Sequence, residues 1–147
     1  MITKVLNSII QRELLKLKIE IESYKDESNL WRLEKSIANS AGNLCLHLVG
    51  NLNTYIGTVL GQTGYVRDRD AEFSMKNISR QELIQKIEGT IGVVDQVLPA
   101  LTAEQLEKDY PMVVLKEATS TEFFLVHLAT HLTYHLGQIN YHRRLID

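Results

Sequence analysis

Four stretches of the chain carry apolar residues at three- and four-residue intervals, the spacing that places side chains on one face of an α-helix. They cover residues 2–24, 36–60, 79–98 and 120–146. Polar or glycine-containing segments separate them, and no stretch convincingly alternates in the way that a half-buried β-strand does. The pattern predicts an all-α fold in which four amphipathic helices bury their apolar faces against one another, a four-helix bundle.

Helix starts are marked by Ser or Thr followed three residues later by Glu or Gln. In this capping box each side chain satisfies a free backbone amide at the start of the helix. The pattern occurs at Ser79/Glu82, Thr102/Gln105 and Thr119/Glu122. It predicts the start of the third helix, of a short helical turn and of the last helix. Residues 62–77 are predicted to form a solvated loop, and residues 109–119 an extended connection, a short strand or a pocket flap.

Length and composition narrow the class of protein. A chain of 147 residues is predicted to form one domain, residues 1–147. A net charge of −2 argues against nucleic acid as the main partner, because phosphate binding favours a basic surface. No apolar run approaches the roughly 20 residues of a membrane span, so no membrane partner is expected. The absence of a signal-peptide pattern and the single cysteine, Cys45, predict a cytoplasmic location.

Histidines concentrate in the last helix. Four of the five lie there, and all four fall within a sector of about 80° on that helix: His127, His131, His135 and His142. The fifth, His47, lies near the middle of the second helix. Asn43 and Asn51 lie one turn before and one turn after it, on the same face. This polar face on an otherwise apolar helix favours a polar pocket over a purely apolar contact between helices.

The histidine spacing indicates a metal site. A His-x-x-x-His pair places two imidazoles one helical turn apart, where both can bind one ion. His47, His131 and His135 all lie near the middle of their helices, so they share a depth whichever way the helices run. We therefore expect these three as ligands of a divalent metal with an open coordination position. His127 and His142 are interpreted as accessory or surface histidines.

The segments LCLHLVGNLNTYIG in the second helix and HLTYHLGQ in the last resemble the DinB-like superfamily of metal-dependent enzymes. The resemblance covers nearly the whole chain, and its most specific part is His135 followed by Gly137 and Gln138. It implies a four-helix bundle, often a homodimer. It also implies that His47, His131 and His135 bind zinc or nickel.

The resemblance also implies a function. Members of known activity include bacillithiol S-transferases and a mycothiol-dependent isomerase, so we expect a small-molecule substrate. The expected activity is a thiol S-transferase acting on small electrophiles, with a low-molecular-weight thiol as cosubstrate, or a hydrolase. Supporting or substrate contacts are expected from Asn51, Arg67, Tyr134 and Gln138. Leu136 stands where an arginine often follows the last motif histidine, so an anion contact would require Arg67 or Arg69.

Two alternatives stay open from the sequence. The chain could be a metal-binding or stress-related bundle protein without catalysis. It could also be a helical dimerisation module whose histidines only pack and form hydrogen bonds. Bound metal separates the last alternative from the other two, and thiol transfer separates the enzyme from the binding protein.

Overall fold

The computed structural model describes residues 1–147, which form helices joined by connections without strands. The helices are α1 (Ile2–Ser23), α2 (Ala41–Leu52), α3 (Val59–Gly61), α4 (Arg69–Ser74), α5 (Arg80–Val97), α6 (Ala103–Glu107) and α7 (Thr121–Ile146). A π-helical segment, Asn53–Thr58, joins α2 to α3, and 3-10 helices occupy Glu27–Trp31 and Leu98–Ala100. The prediction of an all-α fold is confirmed. None of the helices combines the length and apolar character that a membrane span requires.

The long helices pack around one continuous apolar core. α1 contacts α5 and α7, and α2 contacts the same two helices. The apolar stripe predicted for the first helix is buried as expected: Leu6, Ile10, Leu14, Leu17 and Ile21. This core fixes the relative positions of α2 and α7, which together carry all five histidines.

The second helix starts later than predicted. It begins at Ala41 and not near residue 36, because Ser40 caps it by accepting a hydrogen bond from the backbone amide of Asn43 at 3.2 Å. Ile37, expected on its apolar stripe, lies outside the helix and is exposed. The periodicity before Ala41 was therefore misleading.

The residue that caps the last helix lies one position later than predicted. Ser120, and not Thr119, accepts the hydrogen bond from the Phe123 amide at 3.1 Å. The Thr119 carbonyl instead accepts a hydrogen bond from the Tyr110 amide at 2.8 Å, so this residue belongs to the extended connection. The caps predicted at Ser79 and Thr102 are confirmed, and Thr102 forms the full capping box.

The segment predicted to be a loop contains α4. Asp68 caps this short helix by accepting a hydrogen bond from the Ala71 amide at 3.0 Å. The side chain of Asn43 on α2 donates to the carbonyls of Glu72 and Met75, both at 2.9 Å. Asn43 thus holds α4 against α2, and this contact brings Glu72 to the level of His47.

Candidate metal centre

Three histidines from two helices converge on one point. His47 of α2 and His131 and His135 of α7 each place a ring nitrogen within 4.8 Å of the other two. The Nε2 atoms of His47 and His131 lie 3.2 Å apart. Two nitrogens about 2.1 Å from a shared tetrahedral ion lie roughly 3.4 Å apart, so this spacing suits a common metal. The structure brings together the three residues selected from the sequence, and their binding of metal stays a prediction.

The ring orientation of His47 is set by a buried ion pair. Its Nδ1 lies 3.1 Å from Oε1 of Glu72, which is only 6% exposed. Arg67 donates to both oxygens of Glu72, at 2.8 Å and 3.0 Å. Burial acts to raise the pKa of Glu72, but the hydrogen bonds from His47 and Arg67 outweigh it and hold this pKa below its usual value. The ionised carboxylate accepts the Nδ1 proton of His47, which leaves a lone pair on Nε2.

His135 is oriented by a neighbour on its own helix. Its Nδ1 lies 2.6 Å from Oε1 of Gln138, less than one turn further along α7. An amide oxygen only accepts, so Nδ1 carries the proton and Nε2 presents a lone pair. Burial lowers the pKa of His135, although the Gln138 hydrogen bond acts in the opposite direction. The imidazole is therefore neutral at pH 7, the form that binds a metal.

His131 completes the cluster, with its ring centroid 5.1 Å from that of His47 and 4.6 Å from that of His135. Burial, followed by the charges of His135 and His47, lowers its pKa to about 4. Its Nδ1 is buried without a hydrogen-bond partner. Neither neutral tautomer therefore satisfies both of its ring nitrogens within the protein. Its Nε2, which faces His47, is the nitrogen available to a shared ion.

The cluster borders two cavities of about 400 Å³ each. The first cavity opens along residues 124–131 of α7, and four cationic or polar side chains line it beside the histidines: Asn51, Tyr55, Arg67 and Arg69. The second cavity opens along residues 135–145 of α7 and has a more apolar lining, which includes Ile37, Leu44, Tyr141 and Leu145. His47 and His131 line the first cavity, and His135 lines the second.

The four residues expected to support the site or contact substrate occupy different positions. Asn51 is buried and lines the first cavity, where its Oδ1 has no hydrogen-bond partner. Arg67 lines the same cavity, but its guanidinium is engaged by Glu72. Gln138 contacts His135 and lines the second cavity. Tyr134 is exposed and lines neither cavity, although its ring centroid lies 5.5 Å from that of His135.

The remaining histidines differ from each other. His127 lines the first cavity and stacks on Phe124, with ring centroids 5.7 Å apart. His142 was interpreted as an accessory or surface histidine. The surface location is wrong, because this side chain is buried. Its Nδ1 lies 2.6 Å from the hydroxyl of Tyr24, and its Nε2 lies 2.8 Å from the carbonyl of Arg32. Both ring nitrogens have hydrogen-bond partners, so His142 links the end of α7 to the segment that follows α1.

Sequence reasoning missed Glu72. The alternating charges before it indicated a solvated loop, and the one available signal was an aspartate, Asp68, in position to cap a short helix. That signal predicts helix but not contact. Glu72 and His47 are 25 residues apart, and only the docking of α4 on α2 brings them together.

Residues 6–147 match the model of a family described as "Protein of unknown function (DUF1572)". None of the curated proteins matches the sequence. The matched region contains α2, α4 and α7 in full and therefore every residue of the histidine cluster and its partners. The chain belongs to the DUF1572 family.

Proposed function

We propose that the chain is a metal-dependent enzyme of the DinB-like type, in which His47, His131 and His135 hold a divalent ion. The four long helices α1, α2, α5 and α7 then form the four-helix bundle typical of that superfamily. The observation that carries the proposal is the convergence of three ring nitrogens within 4.8 Å, from two separate helices.

The hydrogen bonds around the cluster support metal binding. Glu72 and Gln138 engage the Nδ1 atoms of His47 and His135, which leaves their Nε2 atoms free. Ligand histidines in metalloproteins commonly donate their other ring N–H to a carboxylate or carbonyl oxygen in this way. The low pKa of His131 keeps the third imidazole neutral at pH 7 without competition from protons.

The number of ligands supports catalysis over a purely structural role. The group contains three histidines and no cysteine or carboxylate. Glu72, the nearest carboxylate partner, is already engaged by Arg67 and His47. Structural zinc sites usually have four protein ligands, whereas catalytic sites keep a position open for water or substrate.

The resemblance to bacillithiol S-transferases makes thiol transfer to a small electrophile the reaction that we propose. An ion in this site, zinc or nickel, supplies Lewis-acid chemistry and lowers the pKa of a coordinated thiol or water. His47, His131 and His135 would hold the ion, and the cluster borders one cavity along residues 124–131 of α7 and another along residues 135–145. Two cavities suit a reaction with two small substrates.

Metal content of protein purified without an affinity tag tests the proposal. We expect about one zinc or nickel ion per chain, lost in His131→Ala and His135→Ala and retained in His127→Gln, which changes a histidine outside the cluster. A chelator should lower the thermal midpoint of the wild type but not of His131→Ala. Absence of metal, before and after incubation with zinc or nickel, would overturn the proposal.

A second measurement tests the reaction. The metal-loaded protein is incubated with a cysteine-based thiol and a panel of small electrophiles, and consumption of the thiol is followed. We expect transfer that disappears in His135→Ala. Stoichiometric metal without transfer to any electrophile would leave a metal-binding protein and remove the transferase assignment.

A further inference from the structure

The connection between α6 and α7 contains no helix, and two backbone hydrogen bonds close it at its base. The amide of Tyr110 donates to the carbonyl of Thr119 at 2.8 Å. One step further out, the amide of Thr121 donates to the carbonyl of Lys108, also at 2.8 Å. Residues 111–118 therefore form a loop whose two ends leave and rejoin the protein at one fixed point.

The base of this loop is anchored at the first cavity by Tyr110, whose side chain is buried. Its hydroxyl donates to the carbonyl of Tyr55 at 2.6 Å, and its ring centroid lies 4.2 Å from that of Phe124. Tyr55 and Phe124 both line the first cavity. The loop is therefore fixed at its base to the wall of that cavity.

Beyond its base, the loop is held only weakly. No backbone N–H or carbonyl of residues 111–118 forms a hydrogen bond with another backbone group. Val114 and Leu115 pack against the core but are only partly buried, and Met112 and Val113 are 45% and 63% exposed. A segment with few buried apolar contacts and a backbone open to solvent separates from the protein at low free-energy cost. The loop can therefore move while its base stays in place.

A second loop borders the same cavity, and it is held firmly. This loop, residues 62–68, brings Arg67 to the cavity wall. The hydroxyl of Thr58 donates to the carbonyl of Tyr65 at 2.7 Å, and Arg67 forms its ion pair with the buried Glu72. One rim of the first cavity is thus fastened by polar contacts, whereas the 111–118 loop on the other rim has only apolar ones.

We propose that residues 111–118 are a mobile lid of the first cavity, which opens and closes about its hydrogen-bonded base while the helices stay folded. Val114 of the lid lines this cavity together with His127 and His131, so displacement of the lid changes access to both rings. Lids of this kind admit a ligand and then separate it from bulk water. The inference concerns access to the cavity and holds whether or not a metal is bound.

Distances between pairs of spin labels, measured by pulsed electron paramagnetic resonance, test the motion. Cys45 is buried, and burial raises the pKa of its thiol to about 12, so labels attach only to introduced cysteines. Val113→Cys on the lid is paired with Glu82→Cys on α5, and we expect a broad or two-peaked distance distribution. The control pairs Glu104→Cys on α6 with Glu82→Cys and should give one narrow peak. Equally narrow distributions for the two pairs overturn the inference.

Chemical modification of histidine tests access to the cavity. Diethyl pyrocarbonate carbethoxylates imidazole rings that it can reach, and mass spectrometry of peptides gives a rate for each histidine. Val114→Ser removes part of the apolar contact that holds the lid closed. In metal-free protein at one pH, we expect this variant to be modified about fivefold faster than the wild type at His127 and His131. Equal rates in the two proteins overturn the inference.

Two controls separate lid opening from unfolding. Val5→Ser makes the same change at an exposed position on α1, outside the first cavity, and should leave all rates unchanged. His142 is buried with both ring nitrogens hydrogen-bonded, so its modification reports unfolding of the protein. A rise at His142 equal to that at His131 would mean that the whole fold opens, which overturns the inference. Both experiments use metal-free protein, so their outcome is independent of the metal content that tests the proposed function.

Discussion

Glu72 occupies the space that a side chain on Gly50 would need. A Cβ atom at Gly50 would lie 1.9 Å from Oε2 of Glu72 and 2.6 Å from its carboxyl carbon. Gly50 lies in the interior of α2, where glycine costs about 1 kcal/mol relative to alanine. Its missing side chain allows the carboxylate to pass over α2 and reach His47, three residues earlier.

Replacement of this glycine should therefore harm the site. We expect Gly50→Ala to destabilise the fold by about 1–3 kcal/mol, because the new methyl group displaces the buried carboxylate. Metal affinity should fall with it, since His47 loses its oriented partner. Urea denaturation and competition with a chelating dye measure the two effects.

Gly92→Ala in α5 provides the control. Apart from the neighbouring backbone of its own helix, nothing lies within 4 Å of the position that a Cβ would take at Gly92, so alanine should stabilise the fold by up to about 1 kcal/mol through helix propensity alone. A stabilising effect of Gly50→Ala of the same size would contradict the packing of Glu72 on α2.

Removal of the charge of Glu72 tests its role directly. Glu72→Gln keeps the size of the side chain but places an amide donor opposite Arg67 or His47. We expect metal affinity to fall about 10–100-fold, the usual effect of altering the partner of a ligand histidine. Chelator competition at pH 7 measures the change.

Glu82→Gln is the control for Glu72→Gln. Glu82 is exposed on α5, and its contact with Lys86 is long, at 3.9 Å. Its substitution should leave metal affinity unchanged and alter stability by less than about 0.5 kcal/mol. Equal affinities in Glu72→Gln and Glu82→Gln would remove Glu72 from the site.

The hydrogen bond between Tyr24 and His142 should contribute to stability and not to metal binding. Tyr24→Phe removes the hydroxyl and leaves Nδ1 of the buried His142 without a partner. We expect a loss of about 1–3 kcal/mol in the free energy of unfolding, measured by urea denaturation, with metal content unchanged. Tyr141→Phe is the control, because Tyr141 is exposed on α7, next to His142 in the chain. This substitution should have almost no effect on stability. A loss of bound metal in Tyr24→Phe would show that His142 supports the cluster.

Asp147 should make a pH-dependent contribution to stability. Its side chain accepts hydrogen bonds from the backbone amides of Lys25 and Asp26, which lower its pKa from 3.8 to about 2. The folded state therefore binds fewer protons than the unfolded state between these values. The stabilisation is fully present above about pH 4 and is lost as the pH falls through 2.

Urea denaturation of the wild type and of Asp147→Asn from pH 2 to pH 6 measures this contribution. The difference between the two free energies of unfolding should be constant above pH 4 and should shrink towards pH 2. The same comparison with Asp70→Asn, at an exposed position on α4, should show no such trend. A difference that does not vary with pH would mean that the charge of Asp147 is not responsible.

Prediction from sequence succeeded where the relevant information is local or periodic. The apolar spacing in α1 and α7 determines which face each helix buries, because side chains at three- and four-residue intervals share a face whatever the helix packs against. The choice of His47, His131 and His135 combined that periodicity with the similar depth of these residues along their helices, and the resemblance to DinB-like proteins implied the same three. The start of α2 was misplaced because the periodicity around Ile37 continues past the true cap at Ser40.

The sequence by itself determined the helical class and the apolar faces, since both follow from residue type and helical spacing, and it selected His47, His131 and His135 as candidate metal ligands. Only the tertiary structure decided that Glu72 accepts the proton of His47, that Arg67 is thereby neutralised and that His142 is buried. These contacts depend on how α4 and the chain ends dock onto the long helices. Docking is set by packing between residues far apart in the chain, such as Glu72 on Gly50, and no spacing along the sequence encodes it.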